Sequence, residues 1–220
     1  MAADEPTANQ ALQSLSSLDD PLRRRLYEYV VDAIDPVSRD DAATATDVGR
    51  TLAAYHLDKL ADAGLLTTHY QRPAGRGGPG AGRPAKLYTR ATREMSVSVP
   101  PRDYRLLAEL LVLSLERDPN VRSVVNEAAF AAGQRAGDAF PRNIVEALRS
   151  CGYLPHLYDG GPVELRNCPF HAVARDHTEV VCALNLRLVE GVLTGCGETN
   201  AHADLDPHPN RCCVVINSIA

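Results

Sequence analysis

The 220-residue sequence predicts an α+β fold made of a helix-and-hairpin domain, a set of central helices and a second lobe of helices and strands. Two helical patterns separated by a tight turn, followed by two strand patterns, predict the first domain. A densely apolar helical segment predicts the central part. Alternating strand patterns around one long helical pattern predict the second lobe, which contains all six cysteines of the chain.

These patterns divide the chain into four parts. Residues 1–14 are polar and are expected to form a disordered tail. Residues 15–93 hold the helix-and-hairpin domain, residues 94–140 a linker and central helices, and residues 141–220 the cysteine-containing lobe.

Composition and charge exclude a membrane-spanning chain. The hydrophobic content is 45% and the formal net charge is −5, and no apolar run approaches the roughly 18 residues that a membrane span needs. The first residues, "MAADEPTANQALQSLSS", lack the basic and apolar regions of a signal peptide. We therefore expect a cytoplasmic protein whose thiols stay reduced.

The first three helices follow from spacing and capping. Apolar residues recur at helical spacing over residues 18–33. Ser38 followed by Asp41 resembles a capping box, so a short helix should begin there. A longer helix should run over about residues 49–63 and end at Gly64. Two short helices joined by a tight turn, the second one longer, form a helix-turn-helix pattern.

The longer helix has one apolar and one polar face. We expect the apolar face to contain Leu52, Ala53, Leu57, Leu60 and Ala61. His56 falls in this arc and is expected to pack in the core. On the outer face the candidate DNA contacts are Arg50, Thr51, Tyr55 and Lys59, the first two being near the helix N-terminus where base contacts concentrate. An ordinary amphipathic helix with a solvated face is the alternative.

The next segment predicts a hairpin with a basic tip. Residues 65–71 and 85–91 have strand patterns, and a Gly/Pro/Arg-rich stretch joins them. A hairpin directly after a recognition helix is a wing, and its basic residues can contact phosphates or a narrow minor groove. The candidate contacts are Arg72, Arg76, Arg83 and Lys86. Taken alone, the basic stretch could also be a solvated loop. The combination of a helix-turn-helix with a basic hairpin favours binding to double-stranded operator DNA.

The central segment predicts dimerisation. Pro100 and Pro101 mark a boundary, and residues 103–118 are apolar around most of a helical circumference. We expect this helix to be buried between the two subunits of a homodimer, the alternative being a four-helix core within one subunit. Two further helices are expected over residues 121–140 and 141–153.

The last lobe is expected to act as a sensor. It should contain a hairpin around an Asp-Gly-Gly turn, a short helical stretch at residues 169–175, a helix at residues 178–195 and a final strand at residues 211–217.

Cysteine spacing within this lobe suggests a metal site. Cys168 and Cys182 can approach each other because the chain turns between them, and Cys212 or Cys213 can reach the same point. The last two are neighbours on a predicted strand and would face opposite ways, so only one of them should contribute. Cys196 lies fourteen residues after Cys182 on one helix, about 21 Å away, and is excluded. The candidates for a fourth ligand are His171 and His177.

Soft thiolates in a reducing compartment suit an iron–sulfur cluster or Zn²⁺. The spacing is too wide for zinc-finger or ferredoxin patterns, so a thiol redox switch, or a small-molecule pocket with bystander cysteines, remains an alternative. No nucleophile–base–orienter set and no phosphate-binding loop stands out, so we do not expect an enzyme.

The chain resembles a known group of regulators over about residues 15–220. "SRDDAATATDVGRTLAAYHLDKLADAGLL" with "GRGGPGAGRPAKLY" resembles the winged-helix half of ArsR/DeoR-like regulators. "NCPFHAVARDHTEVVCALN" with the late "CCV" is similar to the SufR group of iron–sulfur-responsive repressors. The resemblance implies a 4Fe–4S cluster held by Cys168, Cys182 and Cys212 or Cys213. In members with a fourth cysteine ligand, that ligand would correspond to Cys196.

Overall fold

A computed structural model describes residues 8–71, 84–92, 94–98, 102–158, 161–208 and 211–218. The chain forms two compact units, Met1–Arg102 and Asp103–Ala220. None of the described helices is both long and apolar enough to cross a membrane.

The first unit is a helical domain with a small sheet. Its helices are α1 (Ala8–Ser16), a 3₁₀ turn (Ser17–Asp19), α2 (Pro21–Asp32), α3 (Arg39–Thr46) and α4 (Arg50–Asp62). Its strands are β1 (Val37–Ser38), β2 (Leu66–Gln71) and β3 (Ala85–Arg90), in the antiparallel order β1-β3-β2. Helices and sheet enclose a core that includes Leu26, Val30, Leu57, Leu60 and Tyr88.

Local signals place the helix ends of this unit. Ser38 accepts a hydrogen bond from the Asp41 amide, and Asp41 accepts one from the Ser38 amide, so the predicted capping box at the start of α3 is confirmed. Asp47 adopts a left-handed conformation (φ 55°) in the turn before α4. Gly64 (φ 72°) follows α4, as expected of a residue that terminates a helix.

The expected disordered tail is wrong for residues 8–14, which belong to α1. Ala11 is only 1% exposed, and the Ser14 hydroxyl donates a hydrogen bond to the Ala63 carbonyl at 2.7 Å. Tertiary contacts therefore stabilise a segment whose composition alone suggests disorder.

The second unit combines helices with a four-stranded sheet. Its helices are α5 (Tyr104–Arg117), α6 (Pro119–Asp138), α7 (Ile144–Ser150), α8 (His171–Ala174) and α9 (Thr178–Gly195). Its strands are β4 (Pro155–Leu157), β5 (Val163–Leu165), β6 (Ala201–Leu205) and β7 (Val214–Ser218), in the antiparallel order β4-β5-β7-β6. Buried residues of α7, α9 and the sheet form its main core, including Leu148, Leu165, Val189, Val192 and Ile216.

Glycines bring α6 and α9 into backbone contact. A Cβ added at Gly133 would lie 2.0 Å from the Leu188 carbonyl oxygen, and one added at Gly191 would lie 2.1 Å from that of Phe130. Gly137 and Gly195 repeat the arrangement one turn further along. The two helices therefore pack closely through reciprocal pairs of glycines spaced four residues apart.

Three features of this unit differ from the sequence-based expectation. α7 begins at Ile144 rather than at residue 141, because the Asn143 side chain accepts a hydrogen bond from the Glu146 amide. Strand β6 was not anticipated. The last strand begins at Val214, so Cys212 and Cys213 precede it rather than lie on it. The expected β4–β5 hairpin and helix α9 are present.

Candidate DNA-binding surface and thiol cluster

The outer face of α4 is open to solvent. Arg50, Thr51 and Lys59 are exposed, and Tyr55 is 55% exposed. Buried positions of the helix are Ala53, His56, Leu57 and Leu60. The structure thus gives α4 one anchored face and one polar face of the kind that reads a major groove.

Two details of α4 refine the expected faces. Leu52, assigned to the apolar face by its spacing, is 45% exposed because it lies at the edge of the buried stripe. His56 is a packed core residue, as predicted: it is 7% exposed, and its Nδ1 accepts a hydrogen bond from Arg23 Nε at 3.4 Å.

A basic pocket lies at the start of α4. Its volume is about 310 Å³, and it is lined by Arg39, Arg50, Thr51 and Ala54. The Asp40 carboxylate lies 2.6 Å from Arg50 Nε. Arg39 was missed by sequence reasoning, although its position at the first residue of α3, next to the capping Ser38, was a usable signal.

Lys86 of β3 is held towards α4. Its Nζ lies 2.6 Å from the Asp58 carboxylate, which also accepts a hydrogen bond from the Tyr88 hydroxyl at 2.7 Å. Burial raises the pKa of Asp58, but the hydrogen bonds from Lys86 and Tyr88 outweigh it and hold that pKa below its usual value. Burial, followed by the hydrogen bond to Asp58, raises the pKa of Tyr88. These contacts join strand β3 of the hairpin to α4.

The hairpin itself is present as antiparallel β2 and β3. Its predicted basic tip, with Arg72, Arg76 and Arg83, lies outside the described residues.

Four cysteines of the second unit meet in what we call the thiol cluster, defined as Cys168, Cys182, Cys212 and Cys213. Hydrogen bonds between thiols join Cys168 to Cys212, Cys212 to Cys213, and Cys213 to Cys182. Cys212 and Cys213 both take part, contrary to the expectation that only one would. They lie in the loop before β7, where the alternation of a regular strand does not apply.

The hydrogen bonds polarise the thiol cluster. The hydrogen bond with Cys168 makes the largest contribution to lowering the pKa of the Cys212 thiol well below its ordinary value, followed by the hydrogen bond with Cys213. The Val214 amide and the Asn185 side chain lower this pKa further. The contact with Cys212, followed by burial, raises the pKa of Cys168 and of Cys213. The direction of these shifts is that of a Cys212 sulfur that accepts hydrogen bonds from the neighbouring thiols.

A buried polar pair supports Cys212 from within the core. The Asn185 side-chain amide donates a hydrogen bond to Cys212 Sγ at 3.0 Å, and the Tyr153 hydroxyl donates one to Asn185 Oδ1. Asn185 is fully buried, and Tyr153 and Cys212 are each 1% exposed. Sequence reasoning missed both partners; the signal was a polar residue three positions after Cys182, between Leu184 and Leu186 of α9.

The other candidate residues lie elsewhere. Cys196 is at the far end of α9 from Cys182, and its sulfur lies 3.8 Å from the Gly137 carbonyl oxygen. His177 Nδ1 lies 2.7 Å from a Glu116 carboxylate oxygen on α5, and His171 is an exposed residue at the start of α8.

The chemistry of the thiol cluster suits a soft metal or an iron–sulfur cluster, because its donors are four partly or fully buried sulfurs. The thiols contact one another, however. Among the residues that the structure describes, no group of three or more His, Cys, Asp or Glu side chains is arranged to hold a metal ion.

A comparison with known proteins found a match within the first unit. A family model described as a helix-turn-helix domain matches residues 18–69, which cover α2 to most of β2. Comparisons with curated proteins and with solved structures gave no match. The family match and the exposed face of α4 support a DNA-binding transcriptional regulator with a winged helix-turn-helix.

Proposed function

We propose that the protein is a homodimeric repressor whose affinity for operator DNA is set by a 4Fe–4S cluster at the thiol cluster. The observation that carries the proposal is the convergence of four cysteines from separate segments on one place in a regulator. A purely structural core has no need for four adjoining sulfurs.

DNA binding is assigned to α4 and the hairpin. Each subunit would place the outer face of α4 in a major groove, with Arg50 and Thr51 nearest the bases, and the hairpin tip in the flanking minor groove. The pocket lined by Arg39 and Arg50 gives this end of α4 two cationic groups for phosphate contacts.

Dimerisation is assigned to α5 because one side of this helix is an uncovered apolar face. Its members are each between 38% and 59% exposed: Leu106, Leu107, Leu110, Leu111 and Leu113. Their spacing places them on one continuous arc. A monomer that exposed this arc to water would forgo about 1 kcal/mol for each half-exposed leucine. A second copy of the same helix is the occupant that offers a matching apolar surface.

The opposite side of α5 supports a link between the dimer and the thiol cluster. Val112 and Leu115 of α5 pack against Val180 and Val181 of α9, and Phe170 joins the same group. Glu116 of α5 pairs with His177. The segment between Cys168 and Cys182 thus rests directly on the helix assigned to dimerisation, and a rearrangement of the segment would be felt by α5.

The residues that would hold the cluster are Cys168, Cys182, Cys212 and Cys213, with no role required of His171 or His177. When bound, an iron–sulfur cluster supplies a centre that oxidants or iron shortage can change. The chain's own contribution is to hold four sulfurs together, to supply hydrogen bonds to Cys212, and to keep α5 in contact with the site.

A thiol redox switch is the second candidate, because the thiols already contact one another. In that case hydrogen peroxide would remove two electrons and two protons from one thiol pair, forming a disulfide and two molecules of water. Zn²⁺ bound by the same sulfurs is a third possibility that the same experiment addresses.

Anaerobic purification distinguishes these candidates. The proposal predicts a brown protein with about four iron and four sulfide ions per subunit, lost in Cys168→Ser and Cys182→Ser but kept in Cys151→Ser, the control outside the thiol cluster. Colourless protein that contains zinc, or no metal and a peroxide-induced disulfide, would contradict the cluster and favour one of the alternatives.

A further inference from the structure

We propose that Asn185 is a positioning residue of the thiol cluster: its side-chain amide holds the sulfur of Cys212 in place, and Tyr153 holds the amide. The expected effect of Asn185 on metal affinity rests on the proposed metal-binding function. The contact itself is a property of the metal-free chain.

The geometry defines each partner's role. Asn185 Nδ2 donates to Cys212 Sγ at 3.0 Å, and Tyr153 donates its hydroxyl hydrogen to Asn185 Oδ1. In this orientation the amide oxygen accepts from the tyrosine and the amide nitrogen faces the sulfur, so both ends of the Asn185 side chain have a partner.

Burial makes the arrangement costly unless it is used. Asn185 is fully buried on α9, at a position where an apolar residue would fill the core. A buried amide costs free energy unless its groups are hydrogen-bonded, and a nearly isosteric leucine would avoid this demand. The position is therefore explained by what the amide does for Cys212.

The sulfur of Cys212 has other hydrogen-bonding partners besides Asn185. Besides Asn185, the Cys168 and Cys213 thiols and the Val214 amide make hydrogen bonds to it. On metal binding, the two thiols would become ligands and give up these bonds, whereas Asn185 would remain. Asn185 is thus the side-chain donor that can stay on Cys212 in both states.

Hydrogen bonds to ligand atoms orient the ligand and adjust the metal site. Loss of such a bond typically lowers metal affinity by about 10- to 100-fold. The same expectation applies to the Asn185–Cys212 contact.

The test compares the Asn185→Leu/Tyr153→Phe double variant with the wild-type chain, and the Tyr153→Phe control shows the effect of losing the hydroxyl alone. The double variant removes donor and hydroxyl together, so no buried polar group is left unpaired and the fold should be kept. The control retains the amide beside Cys212. Thermal unfolding shows whether both variants are folded at the assay temperature.

The first measurement needs no metal. In ¹⁵N NMR spectra of the reduced chain, the signal of the Asn185 side-chain amide is assigned by its absence in the double variant. This signal should shift in Cys212→Ala and keep its position in Cys213→Ala. An Asn185 signal unchanged by Cys212→Ala would overturn the contact.

The second measurement is anaerobic titration with Co²⁺, followed by thiolate-to-cobalt absorption. The double variant should bind Co²⁺ about 10- to 100-fold more weakly than the wild-type chain. Equal affinities would overturn the positioning role. If no variant bound Co²⁺ through its thiols, the proposed metal site would fail, while an NMR shift would still support the hydrogen bond.

Discussion

Replacement of Gly191 by alanine should destabilise the second unit, because the added methyl group meets backbone. An ideal Cβ at Gly191 would lie 2.1 Å from the Phe130 carbonyl oxygen and 2.9 Å from the Gln134 amide nitrogen. Ordinary contacts begin at 3.4 Å, so α6 and α9 must separate by the difference, about 1.3 Å. No side-chain rotation can relieve the clash.

The magnitude follows from three contributions. Alanine gains about 1 kcal/mol over glycine in a helix interior. Against this stand the 1–3 kcal/mol or more typical of overpacking with backbone shifts, and the dispersion energy lost along a helix pair that is pushed apart. We expect a net loss of about 2–3 kcal/mol, which is a lowering of Tm by roughly 10 °C for a unit of this size.

Circular dichroism during thermal or urea unfolding of the full chain measures this loss. Gly49→Ala is the matched control, since nothing lies within 4 Å of a Cβ at that position; its cost should stay within about 1 kcal/mol, the scale of a weakened helix cap. A Gly191→Ala chain as stable as the wild type would show that α6 and α9 do not pack as described.

Three further predictions concern the surfaces and the acid range. Leu110→Glu should convert the dimer to a monomer in analytical ultracentrifugation, because symmetry places the charge twice in an apolar interface. The control Leu157→Glu, at an equally exposed leucine, should remain a dimer. If both variants were dimers, the role of α5 in dimerisation would be refuted. The pKa of Asp58 is held below its usual 3.8. The ionised carboxylate therefore stabilises the fold at pH values above 3.8, and this stabilisation is lost as the pH falls through the lowered pKa. In Asp58→Asn the urea unfolding midpoint should therefore decrease less between pH 5 and 3 than in the wild type. An equal decrease in both chains would contradict the stabilising role of Asp58. Arg39→Ala should weaken operator binding and reduce the slope of log K against log salt concentration by about one unit. Arg50→Ala should instead alter the sequence preference. The opposite result for the two variants would contradict the roles assigned to Arg39 and Arg50.

Elements with local signals were predictable from the sequence. The Ser38–Asp41 capping box, the turn at Gly64 and the helix Thr178–Gly195 depend on residues close together in the chain. The helical rise alone separated Cys196 from Cys182, and the structure places them at opposite ends of α9.

Elements that depend on distant partners were not predictable. Helix α1 is stabilised by contacts such as the hydrogen bond from Ser14 to Ala63, forty-nine residues away. Cys212 and Cys213 interrupt the strand because their backbone groups bond to different neighbours, Leu165 on one side and Asp206 on the other. No sequence pattern reveals which residues these backbone groups bond to.

The central claim is that the state of the thiol cluster controls operator binding. The most direct measurement is the operator Kd of anaerobically purified protein before and after removal of its iron, with Cys182→Ser measured alongside. We expect the two wild-type forms to differ by at least tenfold, within the range of typical allosteric coupling, and Cys182→Ser to match the iron-free form under both conditions. An operator Kd that is the same with and without iron would contradict the claim.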